Sequence, residues 1–186
     1  KDSGYSRILL LGMGGSSLAP AVINQIYPLK SDFPVLSILD STCPLTVGRV
    51  GAALQKEKIF FLVSSKSGTT AETINLFRFF YDQVEKKSGP RAPEEFIAIT
   101  DPQTLLETLG KKLGLKQIIN GLPDVGGRFS ALSPFGLLPA ALMGTDLEAF
   151  SAAAEDSQSA LQAFKDQHPG VILGTILGTL YSSGFN

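Results

Sequence analysis

The chain has 186 residues, 44% of them apolar and 18% charged, which suits one packed core and argues against disorder. Lysine and arginine number 16 against 17 aspartates and glutamates, so no bulk field draws the chain to nucleic acid or to an anionic membrane, and any anion specificity has to be local. Cys43 and His168 are the sole members of their types, which excludes an internal disulfide and a Cys/His zinc site and suits a reducing compartment. No apolar run approaches the ~20 residues of a membrane helix. With no starting Met or signal-like segment and an end directly after an apolar stretch, the expectation is a piece of a longer chain.

Residues 7–11 form a short apolar run that predicts a strand buried on both faces. It leads into Gly12-Met13-Gly14-Gly15-Ser16-Ser17, and residues 18–27 read as helix. The dinucleotide-binding pattern G-x-G-x-x-G fails here at Ser17. Its mechanism survives: the glycines permit close backbone approach, and Ser16 or Ser17 can cap the helix and touch an anion. Residues 35–39 predict a second strand ending at Asp40, which reads as a carboxylate capping a turn. Residues 44–54 follow as a helix with Pro44 in its first turn.

The third predicted strand, residues 59–63, runs into Ser-Ser-Lys-Ser-Gly-Thr-Thr-Ala-Glu-Thr over residues 64–73. This is a turn from a buried strand into a helix. Hydroxyls crowd around Lys66 and Gly68 where first-turn donors and the positive end of the helix dipole are free, which reads as a phosphate cradle. Thr69 and Glu72 also fit a capping box. Ile74, Phe77, Tyr81 and Val84 give the helix an inward face. Residues 86–95, with Gly89, Pro90 and Pro93, predict a surface loop.

Residues 96–100 predict a fourth strand, Asp101-Pro102 a cap and first-turn proline for a helix over 104–113, and residues 116–119 a fifth strand. The alternation predicts an α/β fold: a doubly wound five-stranded parallel sheet with helices on both faces. In the order 2-1-3-4-5 the turns after strands one and three flank the switch point where ligands bind. Arg128 then sits beside Gly126 and Gly127, with room for an oxyanion to approach guanidinium and backbone together; taken alone, the favoured reading is a loop arginine that ties down a carboxylate such as Asp124. Ser133-Pro134 opens a helix that Gly144 ends. Residues 146–167 predict a long amphipathic helix, stopped at His168-Pro169-Gly170 with His168 as a cap or exposed group. Residues 171–181 predict a buried packing helix.

Three segments, residues 12–18, 65–73 and 126–133, together resemble the first sugar-isomerase (SIS) domain of glucose-6-phosphate isomerase, in the same order and at similar separations. Fused transaldolase and glucose-6-phosphate isomerase chains are similar here too. The resemblance implies a flavodoxin-like SIS domain over residues 1–144, with C-terminal helices over 145–186 that pack on it or link to a second half. It further implies interconversion of glucose 6-phosphate and fructose 6-phosphate through a cis-enediol, no metal or organic cofactor, a cytoplasmic enzyme of glycolysis and gluconeogenesis, and homodimers. Carried onto this sequence, Ser16, Ser65, Lys66, Ser67 and Thr70 would hold the phosphate, with Gly15 at its border. Arg128 would stabilise charge on the enediolate, with the Gly127 backbone close by, and Glu72 would orient the histidine that opens the sugar ring.

The family's glutamate motif, ring-opening histidine and late lysine do not occur in these 186 residues, and His168 does not fit the histidine's motif. Proton transfer between C2 and C1 needs a base within hydrogen-bond reach, so the expectation is a part that binds sugar phosphate without isomerising it alone. The alternative is a non-enzymatic sugar-phosphate-sensing SIS domain, which needs both serine-rich turns but not Arg128. Gly-Gly-Arg favours the isomerase. Ser17 and the lack of a P-loop pattern disfavour a nucleotide site.

Overall fold

Short apolar runs alternating with helices assemble as parallel strands in the computed structural model, which describes residues 4–27, 30–54, 56–164 and 168–185. β1 (Arg7–Gly12), β2 (Val35–Leu39), β3 (Ile59–Ser64), β4 (Phe96–Thr100) and β5 (Gln117–Asn120) form one sheet in the order β2-β1-β3-β4-β5, every neighbouring pair parallel. This is the expected doubly wound order. β3 and β4 are buried along their whole length, as strands covered on both faces must be, while the edge strand β5 has no fully buried residue.

The intervening helices are α1 (Gly15–Ile26), α2 (Pro44–Ala53), α3 (Ala71–Ser88) and α4 (Leu105–Leu113), followed by α5 (Pro134–Leu142). Right-handed crossovers put α1 on one face and α2, α3 and α4 on the other, because the strand order reverses between β1 and β3. The core under α3 is aromatic. Phe61 stacks on Phe96 with centroids 4.6 Å apart, and Phe77 meets Phe96 edge-on at 5.6 Å. Leu9, Leu11, Val63 and Ala98 of the sheet pack with Ile74, Phe80 and Val84 of α3 in the same cluster.

Two local expectations are corrected. The segment 86–95 is no surface loop: α3 continues to Ser88, and Gly89–Glu95 forms a 3-10 helix that buries Ala92 completely. Gly89 turns the chain with φ 57, and two prolines with preset φ suit the tighter helix that follows. Asp101 does not cap α4. Thr104 does, its Oγ1 accepting from the Glu107 amide at 3.2 Å, while Glu107 reaches back to accept from the Gln103 amide at 2.6 Å. The Asp101 carboxylate is paired with Lys66 instead.

The chain divides into two compact units, Lys1–Thr145 and Asp146–Asn186. The second contains α6 (Leu147–Ala163), capped by Asp146, and α7 (Pro169–Ser182), whose first turn is capped by His168 Nδ1 accepting from the Gly170 amide at 3.0 Å. The expected end of the long helix at Gln167 lies outside the described residues. α7 is not the buried helix expected: Ile172, Leu173, Ile176 and Leu177 are exposed, and no residue of it is buried. No helix among the described residues is long and apolar enough to cross a membrane.

Hydrogen bonds from Lys111 and then from the Gln103 amide hold the Glu107 carboxyl below the usual carboxylate range. A depressed carboxylate stabilises the fold above its unfolded pKa of ~4.3, and that contribution disappears as pH falls through the lower folded value. Glu107→Gln is therefore expected to lower the thermal midpoint at pH 7 and to flatten its decline below about pH 5; an unchanged acid profile would count against this role. Phe96→Ala, which removes the ring at the centre of the aromatic cluster, is expected to cost about 3–5 kcal/mol in urea unfolding.

Candidate functional site

β1 and β3 pair in register from Arg7↔Ile59 to Gly12↔Ser64, so the two hydroxyl-rich turns leave the sheet side by side at its C-terminal edge. Ser64 Oγ stitches them by donating to the Ser16 carbonyl at 3.1 Å. Neither helix that begins here has a side-chain cap: α1 starts after Gly14 and α3 after Thr70. The caps expected from the sequence do not form. α1 begins earlier than the apolar pattern implies, which puts Ser16 and Ser17 inside its first turn, where Ser17 Oγ donates back to Gly14 O at 3.1 Å. The N-cap of α3 is Thr70, one residue beyond Thr69, so the capping box is out of register. α2 also lacks a side-chain cap, whereas α4, α5, α6 and α7 are capped by Thr104, Ser133, Asp146 and His168. An uncapped helix start keeps its N–H donors and dipole available to an outside anion.

The second turn is a cluster of hydroxyls bonded to one another. Ser65 Oγ, in a residue only 2% exposed, donates to Thr70 Oγ1 at 3.3 Å, and Ser67 Oγ lies 3.4 Å from the same atom. The Thr69 amide and hydroxyl each donate to Ser67 Oγ at 3.3 Å. Gly68 makes the turn with φ 63, and a Cβ there would sit 2.4 Å from the Thr104 Cβ, so no other residue fits. Ser16 is buried to 8% exposure, and its hydroxyl has no hydrogen-bond partner among the described residues. Glu72 is exposed in the first turn of α3, also without a partner among the described residues.

The Gly-Gly-Arg loop reaches the first turn by backbone contact. A Cβ on Gly15 would lie 2.6 Å from the Gly127 carbonyl carbon and oxygen, so the approach requires glycine. Gly127–Leu132 forms a 3-10 helix, and Ser130 Oγ lies 2.7 Å from the Gly127 carbonyl and 3.4 Å from that of Gly15. Arg128 is exposed and makes no ion pair with Asp124 or any other described residue. The cation that ties this loop down is Lys66: its ammonium is paired with Asp101 and donates to the carbonyls of Leu122 at 3.0 Å and Pro123 at 3.3 Å.

The structure thus joins Gly15 to Gly127 and Ser16 to Ser64, brings Ser65 and Ser67 together on Thr70, and turns the Lys66 ammonium towards the 120s loop. Sequence reasoning passed over Ser130 and the partnership of Asp101. Nothing local marks Ser130. Asp101 had a signal: it follows β4 as Lys66 follows β3, and adjacent parallel strands set an acid and a base at their ends side by side. The described residues contain no cluster of three or more metal-ligating side chains.

The family model for phosphoglucose isomerase matches residues 3–185. The chain belongs to the phosphoglucose isomerase family. Family relatives include the glucose-6-phosphate isomerase of Carboxydothermus hydrogenoformans, 33% identical over 82% of this chain and 35% of that protein. Another, from Rubrobacter xylanophilus, is 32% identical over 92% of this chain and 42% of its own length. The chain therefore spans well under half the length of these relatives. Among solved structures, a hypothetical protein of Thermus thermophilus superimposes with a TM-score of 0.82 at 30% identity, covering 94% of this chain and 42% of that one. A glucose-6-phosphate isomerase from Chlamydia trachomatis superimposes at 0.62 with 27% identity, over 74% and 26%.

Gly15→Ala is expected to lower the thermal midpoint and to speed hydrogen exchange at the amides of residues 127–130, because the new methyl overlaps the Gly127 carbonyl. Exchange at wild-type rates there would show that the loop does not depend on this contact.

Proposed function

We propose that the chain is the sugar-phosphate-binding part of a glucose-6-phosphate isomerase, interconverting glucose 6-phosphate and fructose 6-phosphate through a cis-enediol in the whole protein. Membership of the family supports this assignment. The observation that carries it is the side-by-side emergence of two uncapped, hydroxyl-lined helix starts with the Gly-Gly-Arg loop seated against one of them. A phosphate dianion needs several donors converging from different directions and little else.

In this proposal the hydroxyls of Ser16, Ser65, Ser67 and Thr70 and the first-turn amides hold the phosphate, with Gly15 at its border. Lys66 lies beside the cradle with its ammonium turned to Asp101 and the 120s loop. Arg128, exposed and unpaired among the described residues, faces the negative charge that grows on the sugar oxygens as the enediolate forms, and the Gly127 backbone lies next to it. Glu72 orients the ring-opening histidine, a residue outside this chain. The base that carries the proton between C2 and C1 also comes from outside these residues. The step moves a proton and a carbonyl within one molecule, so its electrons balance without an external oxidant or reductant.

Ser65→Ala and Thr70→Val are each expected to weaken fructose 6-phosphate binding at least ~10-fold in calorimetric titration, the loss of a hydrogen bond to a charged group being about 1.5–3 kcal/mol. Affinity for fructose 6-phosphate that ignores both substitutions, or that NAD matches, would sink the phosphate cradle. Arg128→Ala in the whole protein is expected to lower kcat far more than it changes KM. A change confined to KM would remove Arg128 from the transition state.

A further inference from the structure

We propose that Lys66 and Asp101 form a positioning latch for the loop that carries Arg128, so that the lysine of the serine-rich turn acts on the reaction through loop placement and not through direct contact with phosphate. The inference rests on the assignment of Arg128 to the reacting end of the sugar.

The latch begins in the sheet. Lys66 and Asp101 lie just beyond the ends of β3 and β4, and the Asp101 amide donates to the Lys66 carbonyl at 3.1 Å, so the two backbones are fixed before their side chains meet. The side chains then form an ion pair in which Lys66 is 22% and Asp101 18% exposed. An ammonium has three N–H donors. Here they serve Asp101 Oδ2 and the carbonyls of Leu122 and Pro123. The lysine is saturated by protein acceptors and keeps no donor for a ligand.

What it holds is the near end of the 120s loop. Gly121 is fixed by its amide to Thr100 O at 2.8 Å, and the Val125 amide bonds within the loop itself, to Leu122 O at 3.1 Å. The far end is fixed by the Gly15–Gly127 contact and by Ser130. Arg128 lies in that far segment, and its own side chain forms no hydrogen bond or ion pair among the described residues. Its place is therefore set by the backbone anchors on either side, of which the Lys66 ammonium is the one charged member. Asp101 is committed to the same task. Its Oδ1 is buried without a hydrogen-bond partner among the described residues, and Gly121 packs so closely that a Cβ would come within 2.5 Å of it. A carboxylate held this way is tolerable only while its other oxygen faces a cation.

The test is made on the whole protein. Asp101→Asn, and the double variant Lys66→Met/Asp101→Asn, which leaves no unpaired charge, are compared with wild type by hydrogen exchange and steady-state kinetics. The latch predicts faster exchange of the amides of residues 122–128, by at least ~10-fold, with exchange in β1 and β3 unchanged. It also predicts a kcat lowered on the order of 10-fold to 100-fold with KM for fructose 6-phosphate nearly constant, as expected when a catalytic group is misplaced. Lys66→Arg, which keeps the ion pair, recovers most of both signals. Wild-type exchange over 122–128 in the double variant overturns the latch, and so does a loss expressed wholly in KM, which would put the ammonium on the phosphate. Should the wild-type protein neither bind nor isomerise fructose 6-phosphate, the proposed function fails, while the exchange measurement still decides the latch.

Discussion

The parallel pairing of β1 with β3 is the constraint on which everything else in this molecule depends. It joins two strands distant in sequence at the centre of the sheet, and its register, ending at Gly12↔Ser64, sends two turns out at the same level. Had the pairing slipped by one residue, the alternation of side chains would put Leu9 and Phe61 on the wrong face and separate the Ser64 hydroxyl from the Ser16 carbonyl. The aromatic cluster of Phe61, Phe77 and Phe96 fixes β3 against β4 and α3 on one face, because stacked and edge-on rings resist a shift along the strand. Core and crevice are therefore the same decision made at two ends of one strand.

Much of this was legible in the chain itself. Apolar runs bounded by glycine or polar residues marked the first four strands, and the cadence of strands and helices led to the order 2-1-3-4-5 that the sheet adopts. Hydroxyls at a strand-to-helix turn, and glycines beside an arginine, marked the candidate site. What was hidden lay in one-residue details of helix starts and in contacts between segments far apart. Thr69 with Glu72 matches a capping box in spacing, yet α3 begins one residue too late for it. Asp101-Pro102 looks like a cap, yet Thr104 serves, because Gln103 takes a positive φ of 63° that delays the helix. Gly15 gave no local hint that its missing side chain makes room for Gly127, more than a hundred residues further on. Local propensity locates elements; the meeting of distant segments decides which polar group serves which purpose.

The helix starts divide along the same line. The four later helices each commit a side chain to their first-turn donors, whereas α1, α2 and α3 leave theirs open. A side-chain cap is worth about 1 kcal/mol, so an uncapped start costs stability that a bound anion restores. For α1 and α3, whose starts stand side by side, those open donors are what the proposed phosphate site requires.

The pairing of Lys66 with Asp101 also fixes how an anion is felt from a distance. With that ammonium neutralised by its neighbour, the exposed Arg128 and the fractional charges at two helix starts, each about half an elementary charge, are what remains to attract a dianion. Dipolar donors act at contact distance, well inside the screening length of about 8 Å at physiological ionic strength. Capture at such a rim is governed by collision and fit more than by long-range attraction, so beyond the Arg128 charge added salt has little to screen. In a chain whose acidic and basic residues nearly balance, discrimination among anions falls to the geometry of the turns.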